Sequence, residues 1–552
     1  MNLEKFSGAI RHHDSTWHDG GVALFMPSGE LYALASERVG ERYRHHWDSR
    51  LAYAYLKDML DGVPPFGTDE DSIRAIAGYQ QRSLLDHHLY HAAAAFYASP
   101  FASAALLVAD GQGPHRGHTA STSLWRGTSD GIELVEVPYR TAEDFIPQSI
   151  GHFYTAVSAL AGMQGLYEEG KTMGLAAYGN PSVFLDCFRQ YAYSRDDGSF
   201  FIEPDFIYAA LGNTFGPKYY RWIPQPPHIQ RIWDEITSLR GTPLRTGQMP
   251  VSQDDMDIAY AGQAILEEMV LGLARRLKDR TGERNLCLSG GVALNCSANG
   301  KLLASGLFGD IYVMPAADDG GQAIGRLFHD LHVSGIRCDT RIGSPYLGPE
   351  YGPASIQAAI SMIGDTADVG STSFSETVEK AAGLVASGKV IGWFQGRSEI
   401  GPRALGNRSI LADPRRPEMR EHLNRVVKHR EWYRPVAPAV LEECSQDFFQ
   451  LDRALPFMLF AVQVCPEKIG EIPSAVHIDG SARVQTVNIS QNARFHRLLS
   501  SFRALTGVPV LINTSFNGRG EPIVESPMDA AGAFMKMSLD ALVLGDVLLV
   551  KR

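Results

Sequence analysis

Residues 285–295 read NLCLSGGVALN, which is an apolar strand, a glycine turn and the start of a helix. Residues 310–325, DIYVMPAADDGGQAIG, repeat this order with an acidic turn. A strand, a turn and a helix in succession are typical of α/β folds, whose ligands bind at the carboxyl ends of strands. A helix that starts after a glycine turn also presents free N–H groups to an anion. The two stretches therefore predict an α/β protein with a nucleotide site.

The same alternation of strands and helices continues on both sides. Residues 22–26 and 30–37 predict a β-hairpin, and residues 103–113 predict a buried strand that ends in a turn. Further strands are predicted at 389–396, at 508–517 and, as a pair, at 541–552.

The length of the chain predicts more than one domain, because 552 residues exceed one ordinary core. Residues 341–366 begin with a stretch rich in glycine and proline, which predicts a linker. We therefore expect one domain at 1–340 and a second at 367–552.

The composition of the chain limits the cellular compartments and the binding partners that we expect. The net charge is −11, which argues against binding to nucleic acid or to an anionic membrane. The N-terminus has no apolar signal core, and no run approaches the roughly 20 apolar residues of a membrane span. The six cysteines form no CxxC pair, which indicates reduced thiols in a cytoplasmic protein.

Two histidines and two acidic turns form a candidate metal site. His87 and His91 are four residues apart beside alanines that favour helix, so one helix face can chelate an ion. Asp110 ends a predicted strand, and Asp318 and Asp319 lie in the acidic turn of the second stretch. Two imidazoles with one or two carboxylates suit iron(II), manganese or zinc.

Residues 396–416, GRSEIGPRALGNRSILADPRR, carry five arginines in an acidic chain, and we call them the arginine segment. Guanidinium groups match the geometry of phosphate and carboxylate oxygens, and glycines let a backbone approach a ligand. One interpretation is therefore a site for a small anionic substrate. A surface network of ion pairs is the other.

Seven motifs follow one another along the chain: DHHLYH, EEGKTMGLAAYG, LSGGVALNCSANGKL, GPRALGNRSIL, NRVVKHREWYRP, HIDGSARVQTV and LINTSFNGRGEPIV. In this order they resemble the O-carbamoyltransferases typified by the nodulation-protein-U, tobramycin and cephem carbamoyltransferases. The resemblance covers nearly the whole chain. It implies an α/β protein with an actin-like ATPase-fold domain, followed by an α/β domain of the double-stranded-RNA-binding-like, carbamoyl-adenylate-forming type.

In the first domain the resemblance implies a divalent metal, most often iron(II), held by His87, His91 and Asp319. Asp318 is the alternative if the register shifts by one residue. The resemblance also assigns nucleotide binding to a set of residues from three motifs: Asp110, Lys171, Gly290, Gly291, Asn295 and Asn299.

In the second domain the resemblance implies catalytic roles for Arg403, Lys428 and Arg430. It assigns the binding of phosphate and nucleotide to a further set: Arg408, Arg483, Ser515 and Asn517.

The activity that the resemblance implies has two steps. Carbamoyl phosphate and ATP give carbamoyl adenylate, and the carbamoyl group then passes to a hydroxyl of a small-molecule natural product. His18 is the candidate base for that hydroxyl, because imidazole titrates near neutral pH. The chain departs from the family where the acceptor is expected: a serine is missing after His18, and Arg42 or Arg44 replaces a lysine. The sequence therefore leaves the acceptor open.

Other functions share parts of this pattern. A tRNA threonylcarbamoyl-adenosine-type transferase has both folds, but the acidic net charge argues against an RNA partner. A nucleotide-binding regulator is a second alternative, and the arginine, lysine, serine and asparagine set argues against it. We expect small-molecule partners without nucleic acid or membrane, and both a monomer and a homodimer are open.

Overall fold

The structure is a computed structural model. It describes residues 7–10, 21–25, 30–39, 55–56, 87–115, 118–143, 146–163, 167–215, 227–246, 249–335 and 341–552. Contacts between Cα atoms divide the chain into two compact units. The central unit consists of Leu84–Phe96 and Phe101–Asp318, and the terminal unit consists of Met1–Ser83, Tyr97–Pro100 and Asp319–Arg552.

The strands, in chain order, are β1 Ser7–Ile10, β2 Gly21–Phe25, β3 Leu31–Ala35, β4 Ala104–His115, β5 His118–Thr128, β6 Gly131–Glu136, β7 Arg140–Thr141, β8 Ala192–Ser194, β9 Phe200–Ile202, β10 Asn285–Ser289, β11 Asp310–Val313, β12 Ala367–Ser371, β13 Ile391–Phe394, β14 Arg408–Ala412, β15 Ala437–Leu441, β16 Ala461–Gln463, β17 Ser481–Arg483, β18 Gln485–Val487, β19 Val510–Ser515, β20 Ala541–Leu544 and β21 Val547–Lys551.

The α-helices are α1 His87–Ala98, α2 Ile150–Leu160, α3 Glu169–Ala176, α4 Val183–Tyr191, α5 Pro204–Phe215, α6 Pro227–Ser238, α7 Gln253–Thr281, α8 Cys296–Ala304, α9 Gln322–Val333, α10 Pro353–Ile363, α11 Phe374–Ala386, α12 Met419–His422, α13 Ser445–Phe448, α14 Ala493–Thr506 and α15 Pro527–Lys536.

The central unit is built on a sheet with the strand order β11-β10-β4-β5-β6, in which β7 also pairs with β5. β11, β10 and β4 are parallel, so β10 and β4 end at the same edge of the sheet. The strand predicted at 103–113 does not stop at its acidic turn. β4 continues to His115, and a bulge between Ala109 and Gly113 interrupts its pairing with β5. Such a bulge redirects side chains without ending the strand.

The terminal unit contains a sheet with the order β12-β21-β20-β13-β14-β19-β15-β18. β14 and β19 are antiparallel, with Ser409 opposite Ser515. β2 and β3 form the predicted hairpin, in which Gly21 lies opposite Ala35. The N–H of Ala33 in β3 donates to the carbonyl of Leu347 at 2.8 Å, which joins this hairpin to the later part of the same unit.

The α/β class predicted from the sequence is confirmed, and strand–turn–helix units occur at both predicted places. Within the predicted linker, 341–352 has no helix or strand, and α10 follows. Pro353 in the first turn of α10 is compatible with a helix because its missing N–H has no partner there. The division of the chain at 341–366 stays a prediction. Among the helices described, none is both long enough and apolar enough for a membrane span.

Candidate functional site

His87 and His91 lie one turn apart at the start of α1 and face the bulge of β4. The Nε2 atoms of His87 and His91 are 3.1 Å and 3.8 Å from the same oxygen, Oδ2 of Asp110. Asp319 follows the last residue of the central unit and completes the group. One ligand atom of each of the four residues lies within 4.8 Å of the other three. The predicted ligands are thus brought together, and Asp319 rather than Asp318 belongs to the group.

Local contacts orient these side chains. A Cβ atom on Gly113 would come within 2.1 Å of the His87 ring, so a glycine in the bulge makes room for that imidazole. His91 places its Nδ1 3.2 Å from Ser289 Oγ, and the amide of Gln322 donates to Asp319 Oδ1 at 2.9 Å. Contacts of this kind fix the direction in which a ligand presents its free atom.

His88 points away from this group. Its Nδ1 is 2.8 Å from Ser123 Oγ, and its Nε2 is 3.0 Å from the carbonyl oxygen of Ala120. Burial lowers the pKa of His88 to about 3, so its imidazole is neutral at pH 7. His88 is therefore a core side chain, which agrees with its position on a different face of α1 from His87 and His91.

Two imidazoles and two carboxylates form a donor set that suits a divalent transition metal. Asp110 also holds the glycine turn, because the N–H of Gly291 donates to its Oδ1 at 2.9 Å. The Asp110 carboxylate thus faces both the other candidate metal ligands and the turn that precedes α8.

Gly290 has a backbone that a side chain would strain. Its φ is +89°, and an added Cβ would lie 2.2 Å from the carbonyl oxygen of Ala109, a main-chain atom. Its N–H donates to the carbonyl of Ala317 at 2.8 Å. The turn therefore joins β4, β10 and the segment before Asp319 at one point.

Gly290→Ala is expected to destabilise the protein by about 3 kcal/mol, because backbone strain and a main-chain clash add together. Gly282→Ala is the matched control: its φ is also positive, at +67°, but nothing lies within 4 Å of its added Cβ. That control should cost about 1 to 2 kcal/mol. Thermal unfolding of both variants measures the difference, and equal shifts of the midpoint would show that the close approach to Ala109 has no effect.

Other predicted nucleotide residues are engaged within the protein. The side chain of Asn295 caps α8 by accepting from the N–H of Ala298 at 3.0 Å, and Asn299 donates to the carbonyl of Ala293 at 2.7 Å. Lys171 pairs with the carboxylate of Glu168. The two asparagines shape the turn, whereas the partly exposed Lys171 can exchange its partner.

In the terminal unit Lys428, Ser515 and Asn517 meet. The buried ammonium of Lys428 donates to the carbonyl of Ser515 at 2.6 Å, to its Oγ at 3.0 Å and to Asn517 Oδ1 at 2.7 Å. The hydroxyl of Ser515 donates to the same amide oxygen at 2.7 Å. The three residues that the resemblance grouped are therefore one polar cluster.

Irregular backbone delivers Lys428 to this cluster. Residues Leu423–Val427 form a π-helix that ends directly before it. His429, the next residue, has φ +48°, which is unusual for a residue other than glycine. π-helices and left-handed residues concentrate at functional sites. Since Ser515 ends β19 opposite Ser409, the cluster lies beside the start of β14 and thus beside the arginine segment.

Most arginines of the arginine segment bind the protein itself. Arg408 is fully buried, donates to the carbonyls of Gln395 and Gly396 at 2.6 Å and 3.2 Å, and stacks over Phe394. Its donors face main-chain oxygens in the core, and its role in phosphate binding stays a prediction. Arg397 likewise donates to the carbonyl of Leu31 at 2.6 Å.

The last two arginines of the arginine segment also bind the protein itself. Nη2 of Arg415 and Nε of Arg416 lie 2.7 Å and 3.8 Å from Oδ2 of Asp413. Arg430 donates to Asn424 Oδ1 at 2.8 Å, within its own segment. Arg403 is half-buried, and the buried Nε of Arg483 has no hydrogen-bond partner among the described residues. The predicted roles of Arg403, Arg430 and Arg483 at an anion stay predictions. His18, Arg42 and Arg44 lie outside the described residues.

Glu399 shapes the arginine segment, a role that the sequence did not predict. Its Oε1 accepts from the N–H groups of Leu405, Asn407 and Arg408 at 2.6, 3.3 and 3.2 Å. One buried carboxylate therefore folds the loop that carries Arg403. In the sequence, the signal for this role was an acidic residue among the arginines of the arginine segment.

Comparison with known proteins identifies the family. A family model described as the carbamoyltransferase N-terminus matches residues 73–327, and one described as the carbamoyltransferase C-terminus matches residues 382–551. The chain belongs to the carbamoyltransferase family. This carbamoyltransferase is therefore an enzyme of the class that the resemblance implied.

Relatives of this carbamoyltransferase come from several bacteria. It is 38% identical to uncharacterized protein sll1178 of a Synechocystis species, over 84% of this chain and 76% of that protein. It is 38% identical to nodulation protein NolNO of Sinorhizobium fredii, over 88% of this chain and 65% of that protein. It is 28% identical to 3'-hydroxymethylcephem-O-carbamoyltransferase of Amycolatopsis lactamdurans, over 96% and 97%. The solved structure of full-length HypF, in a phosphate- and nucleotide-bound form, matches 59% of this chain and 54% of that one, at 14% identity and a TM-score of 0.33.

Proposed function

We propose that this carbamoyltransferase joins carbamoyl phosphate and ATP into carbamoyl adenylate and then carbamoylates a hydroxyl of a small natural product. The observation that carries the proposal is the cluster of Lys428, Ser515 and Asn517, which presents a fixed ammonium group beside the arginine segment. A fixed cation stabilises phosphoryl groups by position and charge, without covalent chemistry.

The first step takes place in the terminal unit. Water cleaves carbamoyl phosphate into carbamate and phosphate, and a carbamate oxygen attacks the α-phosphorus of ATP. The bond from that phosphorus to pyrophosphate breaks, which leaves carbamoyl adenylate. Lys428, whose three donors are engaged by Ser515 and Asn517, contributes its positive charge beside the α-phosphate, and Arg403 and Arg483 hold the leaving phosphates. The Nε of Arg483, which has no hydrogen-bond partner within the described part of the chain, supports this assignment.

The second step takes place at the candidate metal site. His87, His91, Asp110 and Asp319 would hold a divalent ion, which we assign to iron(II) by resemblance to the family. Such an ion, when bound, would supply positive charge that stabilises a phosphate group. The acceptor hydroxyl attacks the carbamoyl carbon, the bond to AMP breaks, and the hydroxyl proton leaves to a base. His18 is our proposed base. The finer fold assignments, actin-like ATPase for the first part and double-stranded-RNA-binding-like for the second, belong to the same proposal.

The acceptor belongs to the class of small hydroxylated natural products. The cephem carbamoyltransferase of Amycolatopsis lactamdurans, by its name, acts on a hydroxymethyl group, and the two chains align over almost their whole lengths. The net charge of −11 agrees with a small acceptor rather than a polyanion.

The test is release of AMP from ATP with carbamoyl phosphate and a panel of hydroxylated natural products, with the carbamate ester detected by mass spectrometry. We expect AMP and ester in equal amounts for at least one acceptor. If no acceptor led to release of AMP and no pyrophosphate exchanged into ATP, the proposal would be refuted.

A further inference from the structure

Glu525 is a buried carboxylate between two buried arginines in the terminal unit. Its exposed fraction is 1%, against 2% for Arg38 and none for Arg408. Its Oε2 is 3.7 Å from Nη1 of Arg38, and its Oε1 is 3.8 Å from Nη2 of Arg408. Arg38 comes from the turn after β3, so the three residues join widely separated parts of the chain. We call Arg38, Arg408 and Glu525 the buried clamp.

The charges of the buried clamp depend on one another. Among the described residues, Glu525 Oε2 and Arg38 Nη1 have no hydrogen-bond partner. The hydroxyl of Tyr351 donates to Glu525 Oε1 at 3.3 Å and lies 2.9 Å from the hydroxyl of Tyr55. Burial raises the pKa of Glu525, and the charges of Arg408 and Arg38 oppose that shift. A buried charge is tolerated only when an opposite charge remains beside it.

The buried clamp forms hydrogen bonds at two places in the arginine segment. Nη2 of Arg38 donates to the carbonyl of Gly401 at 2.9 Å, two residues before Arg403. Nε of Arg408 donates to the carbonyl of Glu525 at 3.1 Å. These bonds fix both the turn that carries Arg403 and the start of β14.

The other end of the buried clamp leads to the polar cluster. The N–H of Phe516 donates to the carbonyl of Arg408 at 3.0 Å, and the N–H of Val524 donates to the carbonyl of Phe516 at 2.9 Å. Asn517, a partner of Lys428, lies inside this loop. A shift of Glu525 would therefore move the segment that holds Asn517.

We propose that Arg38 and Glu525 are positioning residues for the formation of carbamoyl adenylate. They hold the loop with Arg403 and the loop with Asn517 at one spacing, so that both present their polar groups to the same phosphates. This inference rests on the proposed function and adds a contribution from the N-terminal part of the chain to the first step.

The experiment measures kcat and KM for ATP in carbamoyl-phosphate-dependent exchange of pyrophosphate into ATP. The variants are Arg38→Met, Glu525→Gln, their double mutant, and Arg38→Lys as the conservative rescue. The matched control is Arg240→Met in the central unit, which breaks the buried ion pair between Arg240 and Asp255. Thermal unfolding of every variant separates lost stability from lost alignment.

We expect each single variant to lower kcat roughly tenfold to hundredfold, with KM for ATP changed by less than about threefold, because misplacement of reacting groups affects alignment. The double mutant should be no slower than the slower single one, since neighbours in one network are not additive. Arg38→Lys should recover part of kcat. Arg240→Met should lose stability with an unchanged kcat.

Single variants that exchange at the wild-type kcat would overturn the inference, and so would losses that multiply in the double mutant. If Arg38→Met does not fold, Glu525→Gln and Arg38→Lys decide by the same criteria. Absence of exchange in the wild type would instead refute the proposed function, and the inference with it.

Discussion

Lys428→Met is expected to reduce carbamoyl-phosphate-dependent exchange of pyrophosphate into ATP by roughly 10²- to 10³-fold, the usual loss when one preorganised group of an active site is removed. The ammonium is buried and makes three hydrogen bonds within the cluster of Ser515 and Asn517. Methionine fills a similar volume but carries no charge. The measurement is the exchange rate at saturating ATP.

The control for this prediction is Lys389→Met. Lys389 also forms an ion pair, with Asp540 at 2.9 Å, but it is half-exposed and does not contact the polar cluster. Its removal should leave the exchange rate unchanged, as exposed pairs contribute little. A Lys428→Met protein that folds and exchanges pyrophosphate at the wild-type rate would remove Lys428 from the mechanism.

His91→Ala is expected to abolish stoichiometric metal binding and the carbamoylation of acceptors, while pyrophosphate exchange continues. Loss of an outer-shell partner already costs roughly 10- to 100-fold in metal affinity, and loss of a ligand should cost more. Exchange should survive because Lys428, Ser515 and Asn517 belong to the terminal unit, whereas His91 belongs to the central unit. Metal content per folded chain, the exchange rate and ester formation are the three readouts.

His88→Asn is the matched control on the same helix. His88 contacts Ser123 and Ala120 instead of the metal group, so its variant should lose stability but keep its metal. Loss of metal from His88→Asn equal to that from His91→Ala would show that the helix, and not the ligand set, controls binding. Unchanged metal content in His91→Ala would contradict the assignment of the site.

The part of the site that could be predicted has a local cause. A strand, a glycine turn and a helix recur at 285–304, and a spacing of four residues places His87 and His91 on one helix face. Asp110 and Asp319 are distant in the sequence, but β10 pairs in parallel with both β4 and β11, which places the ends of these strands at one edge of the sheet. The α/β pattern does not determine which strands are neighbours, so this convergence was predicted only through the resemblance to the family.

The roles of the arginines could not be predicted. Sequence does not distinguish a guanidinium that binds phosphate from one that binds main-chain carbonyls, because both need the same donors. Arg397 and Arg408 take the second role, since the loop around them folds inward on Glu399. Likewise, nothing local to Arg38 indicates that its partners are Gly401 and Glu525.

The most direct test of the central claim is whether the wild-type protein exchanges labelled pyrophosphate into ATP only when carbamoyl phosphate is present. Reversible formation of an adenylate requires such exchange, and no acceptor is needed. We predict exchange with carbamoyl phosphate and none with threonine and bicarbonate. Exchange that depends on threonine and bicarbonate, or no exchange with carbamoyl phosphate, would contradict the account.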